Sequence, residues 1–228
     1  MAGPDGPHLK HCRKLRTLYT SESTRILLPC RCDGPMPSND SLYPSTKLHA
    51  EDGLILLQAT LDDAEELFAV VDANREHLRE WLPWLDSTLN VEDERSAIKS
   101  TLEDYEKRDG VFYAIRLNSE LIGTMSLNWI DWENRACGVG YWLSKDQTGN
   151  GFVTKSCIRL IEHCFDDLGL HRFVLEAATD NFSSRAIAEK LGMRLEGITK
   201  DREWLYDHYV DAALYAITAP EWQAHVQD

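Results

Sequence analysis

Gly140-Tyr-Trp-Leu-Ser-Lys-Asp-Gln-Thr-Gly149-Asn-Gly151-Phe-Val-Thr154 is the stretch on which the fold turns. Cys137–Leu143 reads as a strand and runs into a Gly-x-Gly turn. From there Val153, Cys157, Leu160, Ile161, Cys164, Phe165 and Leu168 repeat at helical spacing, the clearest amphipathic helix in the chain. Glycines let a backbone approach a ligand closely, and the unpaired N–H groups opening a helix attract an anion. A pyrophosphate is the natural occupant of such a turn. The glycines also fit a plain turn with no ligand. The stretch lacks the Lys-Ser/Thr pair of a P-loop and the third glycine of a dinucleotide fold.

Outward from this unit the elements alternate. Upstream, Val111–Leu117 and Leu121–Asp131 are strands joined through Asn118-Ser119-Glu120, a tight hairpin. A helix spans roughly Glu92 to Lys107, with Ile98, Leu102 and Tyr105 inward and Gly110 past its end. Before it, Leu54–Ala59 is a strand, and Thr60-x-x-Asp63 resembles a capping box opening a helix that reaches about Trp81, where Pro83 stops it. Downstream, Arg172–Ala178 is a strand and Ser184–Leu191 a short helix ending at Gly192. Strands near Arg194–Thr199 and Asp211–Ile217 close the domain. The order predicts an α/β fold of the mixed α+β kind, one mixed sheet covered by helices.

The chain has 228 residues, 43% of them hydrophobic, and a formal net charge of −14. That supports one packed domain with an extension. An acidic chain gains little from counterion release, so nucleic acid is not an expected partner, whereas amines and basic peptides are. No apolar run approaches the ~20 residues that cross a bilayer, so no membrane partner is expected. The six cysteines suit a reducing cytoplasm. Cys157 and Cys164 share a helix face and read as core. Cys30-Arg-Cys32, with His8 and His11, has the wrong spacing for zinc, so no metal is expected.

Residues 1–46 differ from the rest. Six of the eight prolines fall there, and residues 1–35 carry a local charge of +3. They are expected to form a disordered extension, with an organelle transit segment or an alternative start at Met36 as other readings. The domain is then 47–220, followed by a tail at 221–228.

With these motifs in order, residues 50–217 resemble the GNAT superfamily of N-acetyltransferases, and in particular its ribosomal-protein (serine or alanine) branch. The resemblance rests on Leu78-x-x-Trp81-Leu-Pro-Trp84, Asn134-Arg135, Gly140-Tyr-Trp-Leu, Thr148-Gly-Asn-Gly151-Phe-Val-Thr154, and His171-Arg172. It extends through Asn181-x-x-Ser184, Glu189-Lys-Leu-Gly192 and Asp201-Arg-Glu203-Trp-Leu-Tyr-Asp207. It implies about seven strands flanked by about four helices, acetyl-coenzyme A as donor and a protein N-terminal amine as acceptor. It implies that the backbone of Thr148, Gly149, Asn150, Gly151, Phe152 and Val153 holds the pyrophosphate. Tyr141, Trp142 and Leu143 would pair with the pantetheine arm, which Asn181 would also contact. Glu203 would be the base and Ser184 the hydrogen-bond donor to the leaving thiolate, with Trp84, Trp204 and Tyr206 near the acceptor. Homodimers are common among such relatives.

Three positions depart from the family's pattern. Thr148 stands where a Gln or Arg usually opens the turn, Gly138 where a glutamate is often found, and Ala188 where many relatives have a tyrosine acid. Glu203 also reads as a solvated loop acid, and Ser184 as a helix cap. Two other functions fit the same residues: acetylation of a small amine, or a coenzyme A-binding module with little catalysis.

Overall fold

A computed structural model describes residues 43–227. The extension expected at 1–46 lies outside the described residues as far as residue 42, as do Cys30, Cys32, His8 and His11. Residues 43–46 are described, and they are tied to the domain. Tyr105 Oη donates to the Pro44 carbonyl at 3.1 Å, Tyr113 Oη donates to that of Ser45 at 2.7 Å, and Ser45 N–H donates to His163 Nε2 at 2.9 Å.

The first strands are β1 (Lys47–Glu51) and β2 (Leu54–Gln58), followed by α1 (Ala64–Ala73) and α2 (Arg75–Leu78). The capping box at Thr60 and Asp63 forms as the sequence predicts, with Asp63 Oδ2 accepting the Thr60 N–H at 2.7 Å. The helical run breaks at Asn74, short of the expected Trp81. The Asn74 amide donates to the Val70 carbonyl at 2.8 Å, and its Oδ1 accepts the Lys145 N–H at 2.8 Å, a tertiary contact that local sequence does not encode. A 3-10 turn, Pro83–Ser87, leads to α3 (Val91–Glu106). Asn90 caps α3 by accepting N–H groups of Glu92 and Asp93, and the Asp93 carboxylate returns to the N–H groups of Leu89 and Asn90.

Strands β3 (Val111–Leu117), β4 (Glu120–Asp131) and β5 (Ala136–Leu143) follow within a residue of their expected bounds. Asn118 and Ser119 form the β3–β4 turn with φ of 51° and 78°. Then come α4 (Phe152–Glu162), β6 (Arg172–Ala178), α5 (Phe182–Lys190), β7 (Arg194–Leu205), β8 (His208–Thr218) and α6 (Ala219–His225). The expected tail at 221–228 is therefore helical as far as His225, and its Trp222 is 5% exposed, packed into the main core.

The described strands form one eight-stranded sheet, ordered β1-β2-β3-β4-β5-β6-β8-β7. All neighbours are antiparallel except β5 and β6. One face packs on α4: Cys137, Val139 and Leu143 meet Val153, Cys157, Leu160 and Ile161. The other face packs Ala114 and Leu121 under Ala64, Leu67 and Ile98. Cys137, Cys157 and Cys164 are free and buried, behaving as small apolar core residues. Among the described residues no helix is long and apolar enough to cross a membrane.

Candidate active site

The parallel pair β5/β6 carries the central feature. Their ladder runs from Ala136–Arg172 to Val139–Leu175 and stops there. Gly140–Leu143 and Glu176–Ala178 continue past that point unpaired with one another, so the sheet parts in its middle. A cleft of about 930 Å³ fills the parting. Its walls are β4 and β5 (Ser126, Trp129, Tyr141, Trp142), β6 and α5 (Glu176, Asn181, Ser184), β7 (Arg202, Glu203), and α3 with the preceding turn (Trp84, Thr88, Glu94). Main-chain groups along Gly140–Trp142 therefore face a ligand-sized space at a free strand edge, while Leu143 is packed in the core and does not line it.

Two glycines shape the segment beyond β5. Gly149 and Gly151 both have φ of 80°, the left-handed region where a side chain is costly, and Gly151 is the residue preceding α4. A Cβ built on either would meet no atom within 4 Å, so the turn opens outward. The first turn of α4 holds no acidic residue. Its partial positive end is left available to an anion. Thr148 Oγ1 donates to the Lys145 carbonyl at 2.7 Å, so its hydroxyl hydrogen is spent within the turn and the backbone carries the donors.

Asn181 is the N-cap of α5, its Oδ1 accepting the Ser184 N–H at 3.1 Å. Ser184 is consequently in the helix rather than its cap, and its side chain lines the cleft. Beside it the Tyr141 hydroxyl is buried, with no hydrogen bond of good geometry and the Ser184 side chain as its polar neighbour. Desolvation raises the pKa of that phenol. Glu203 stands on β7 opposite Val210, so it is on a strand and not in a loop; it is solvent-exposed there and also lines the cleft. Desolvation raises its pKa; Arg202 opposes the shift and Glu176 adds to it. Arg202 itself donates to Glu176 at 3.0 Å.

The exposed Trp129 side chain lies over Gly138, where an added Cβ would be 2.2 Å from its Nε1, so a side chain there would have to displace that ring. Ala188 is fully buried in the core. Neither place offers an acid or base.

Among the aromatics, Trp84 lines the cleft, while Trp204 and Tyr206 do not. Trp204 is exposed and stacks edge-on against Tyr209 with centroids 4.9 Å apart. Tyr206, at the β7–β8 turn with φ of 60°, donates to the Leu82 carbonyl at 2.6 Å and lies under the Arg79 guanidinium at 3.8 Å. It fastens the hairpin to the segment that carries Trp84. Glu94 and Trp129 line the cleft and carry no motif that would have singled them out.

The family described as the acetyltransferase (GNAT) domain matches residues 53–194. The ribosomal-protein-serine acetyltransferase of Escherichia coli (strain K12) is 31% identical over 150 residues, which are 66% of this chain and 84% of that protein. Among solved structures, the microcin C7 self-immunity acetyltransferase MccE, in complex with acetyl-CoA and AMP, is similar with a TM-score of 0.73 and 29% identity. That match covers 79% of this chain and 99% of MccE. The ribosomal L7/L12 α-N-protein acetyltransferase RimL in complex with coenzyme A also gives a TM-score of 0.73. It is 27% identical, covering 75% of this chain and 97% of RimL.

Proposed function

We propose that this chain, which belongs to the acetyltransferase (GNAT) domain family, transfers the acetyl group of acetyl-coenzyme A to a protein N-terminal α-amine, the acceptor being a ribosomal protein in the cytoplasm. The acceptor class comes from the named relatives, one acting on a ribosomal-protein serine and one on the α-amine of L7/L12. The observation that carries the donor reading is the parting of β5 from β6 after Val139 and Leu175, with a glycine turn and helix N-terminus just beyond it. An elongated amide-bearing thiol with a pyrophosphate at one end fits that layout.

In this reading backbone N–H groups from Thr148 to Val153 hold the pyrophosphate, and the main chain of Tyr141 and Trp142 pairs with the pantetheine amides. Asn181 borders the arm near the thioester. The amine nitrogen attacks the thioester carbonyl carbon, and the C–S bond breaks as the acetamide forms. The amine proton passes to Glu203, directly or through a water. Although Glu203 is exposed on β7, partial desolvation raises its pKa and strengthens it as a base. Ser184 Oγ donates to the thiolate as it leaves, and the buried Tyr141 hydroxyl is a second donor within the same wall. Trp84 closes the acceptor side. An α-amine, with a pKa near ~8, is already about a tenth neutral at pH 7, so a modest base suffices.

The test follows thiol release from acetyl-coenzyme A against peptides with Ser and Ala N-termini and against a panel of small primary amines. Turnover of the peptides supports the reading. Turnover of small amines alone transfers the function to that acceptor class, and cofactor binding without turnover leaves a binding module.

A further inference from the structure

Glu94 is 5% exposed, near the start of α3, and it lines the cleft. Its two neighbouring acids differ from it: Glu92 is exposed and pairs with Arg95 at 3.3 Å, and the Asp93 carboxylate is consumed by the cap. Glu94 has neither a hydrogen-bond donor nor a cation among the described residues, and burial alone raises its pKa to about 7. Arg95, the cation next to it along the chain, is engaged by Glu92 and by the Leu61 carbonyl, and Arg75 is committed to Asp72 and to the carbonyls of Leu85 and Thr88. The other charged side chains lining the cleft are Asp93, Asp104, Glu176, Arg202 and Glu203. Asp104 pairs with Lys107 and Glu176 with Arg202. With Asp93 engaged by the cap, Glu94 and Glu203 stand as the two cleft carboxyls with neither a salt bridge nor a capping bond, one offered by α3 and the other by β7.

A carboxyl held this deep without a partner is costly to a fold and is retained where a ligand supplies the partner. The cleft's charge is acidic, which draws in a cation. We infer that Glu94 is the acceptor-recognition group, receiving the α-ammonium of the incoming amine from the α3 wall while Glu203 takes the proton. The inference rests on the acetyl-transfer reading and names the specificity-determining residue of its acceptor side. Two unpaired carboxyls then have two separate tasks: one grips the charged amine as it arrives, and the other accepts the proton that must leave before attack.

The experiment compares wild type, Glu94→Gln, Glu94→Asp and Glu203→Gln, each as the full chain saturated with coenzyme A. Calorimetry measures binding of a free-amine hexapeptide and its N-acetylated twin, with a simple primary amine and its acetamide as a second pair. Steady-state rates are then taken with acetyl-coenzyme A. The inference expects wild type to prefer the free amine by about tenfold or more, the scale of one charge-assisted hydrogen bond. Glu94→Gln should lose that preference and raise the acceptor KM with kcat kept, and Glu94→Asp should restore part of it. Glu203→Gln should keep the preference and lose kcat. If Glu94→Gln keeps the preference and the KM of wild type, the inference is overturned and the acetyl-transfer reading stands. If wild type acts on the small amine but not on peptides, the acceptor assignment fails, and the small-amine pair decides Glu94 by the same criterion. No preference for the free amine in wild type overturns the inference outright.

Discussion

Replacing Glu94 by Gln should make the protein more stable at alkaline pH, and the size of the gain follows from its burial. The carboxyl's pKa rises from 4.5 to about 7 on folding, through desolvation. A raised carboxyl binds its proton more tightly in the folded state than in the unfolded one. Between pH 4.5 and about 7 the folded chain therefore carries more protons, and its stability falls as pH rises. Below that window wild type suffers no penalty. Above it the full penalty is present, roughly 3 kcal/mol when each tenfold change in proton affinity is worth ~1.4 kcal/mol. The neutral amide keeps the side chain's volume and does not ionise. Whatever its burial costs is constant with pH, so the change in ΔΔG between pH 4.5 and pH 8 isolates the carboxylate. For a domain of this size the difference corresponds to a Tm gain of about 6–12 °C at pH 8 that is absent at pH 4.5. Calorimetric or dichroism melts across that range supply the measurement. An offset between variant and wild type that is the same at both ends would refute a buried, unpartnered carboxyl at 94. A variant that is more stable and a poorer binder would place Glu94 among residues kept for function at the expense of stability.

Glu203→Gln should lower kcat by about 10²–10⁴-fold near neutral pH, with the deficit shrinking as the acceptor amine deprotonates unaided above pH ~8; pH–rate profiles report it. Ser184→Ala should show a deficit that persists across the same range, because it removes a donor to the thiolate and not a proton acceptor. Gly151→Asp should weaken acetyl-coenzyme A binding at least tenfold more than Gly151→Asn, as measured by calorimetry. Both variants bear the strain of φ at 80°, but only the first sets a charge against the pyrophosphate. A chain beginning at Tyr43 should melt like the full chain. One beginning at Lys47 should lose about 1–3 kcal/mol in urea unfolding, because the Tyr113 hydroxyl loses its acceptor at Ser45.

How much of this can be read from residues alone varies along the chain. The hairpin at Asn118-Ser119, the cap at Thr60 and helix α4 follow from local chemistry and strong periodicity, and the structure agrees with each. Strand β1 leaves no mark in the sequence because it lies at the sheet edge and only Leu48 in it is buried, so there is no alternation to detect. The full length of β7 is hidden for the same reason: every residue from Arg194 to Trp204 is exposed, and the strand is held by pairing with β8 rather than by an apolar face. The seven strands expected are eight once β1 is counted. The glycine turn is legible because its chemistry is local. Glu94 is not. An acid in the first turn of a helix complements the dipole and is ordinary in sequence. Only the tertiary walls around it make it unusual.

The departures in the central strands bear on where the chemistry can originate. Trp129 lies against the Cα of Gly138, and the Asn128 side chain lies against that of Gly140, so an added Cβ at either glycine would approach within 2.7 Å of a neighbouring side chain. The pairing of β4 with β5 slips between Leu127 and Trp129, and that bulge sets both side chains over the glycines. The Trp129 and Asn128 side chains thus occupy the space on the β5 floor of the cleft that a carboxylate at either glycine would take. With Ala188 sealed in the core, α5 offers no tyrosine either. In the acetyl-transfer reading the base is Glu203 on β7, and Glu94 on α3 is the acceptor-side carboxyl. The Tyr206 hydroxyl on the Leu82 carbonyl and Arg79 on the Tyr206 ring join the β7–β8 hairpin to the segment leading into α3. Those contacts fix the separation of the two elements that carry Glu203 and Glu94. In that reading Tyr206 serves the acceptor side by holding its walls in place, without entering the cleft.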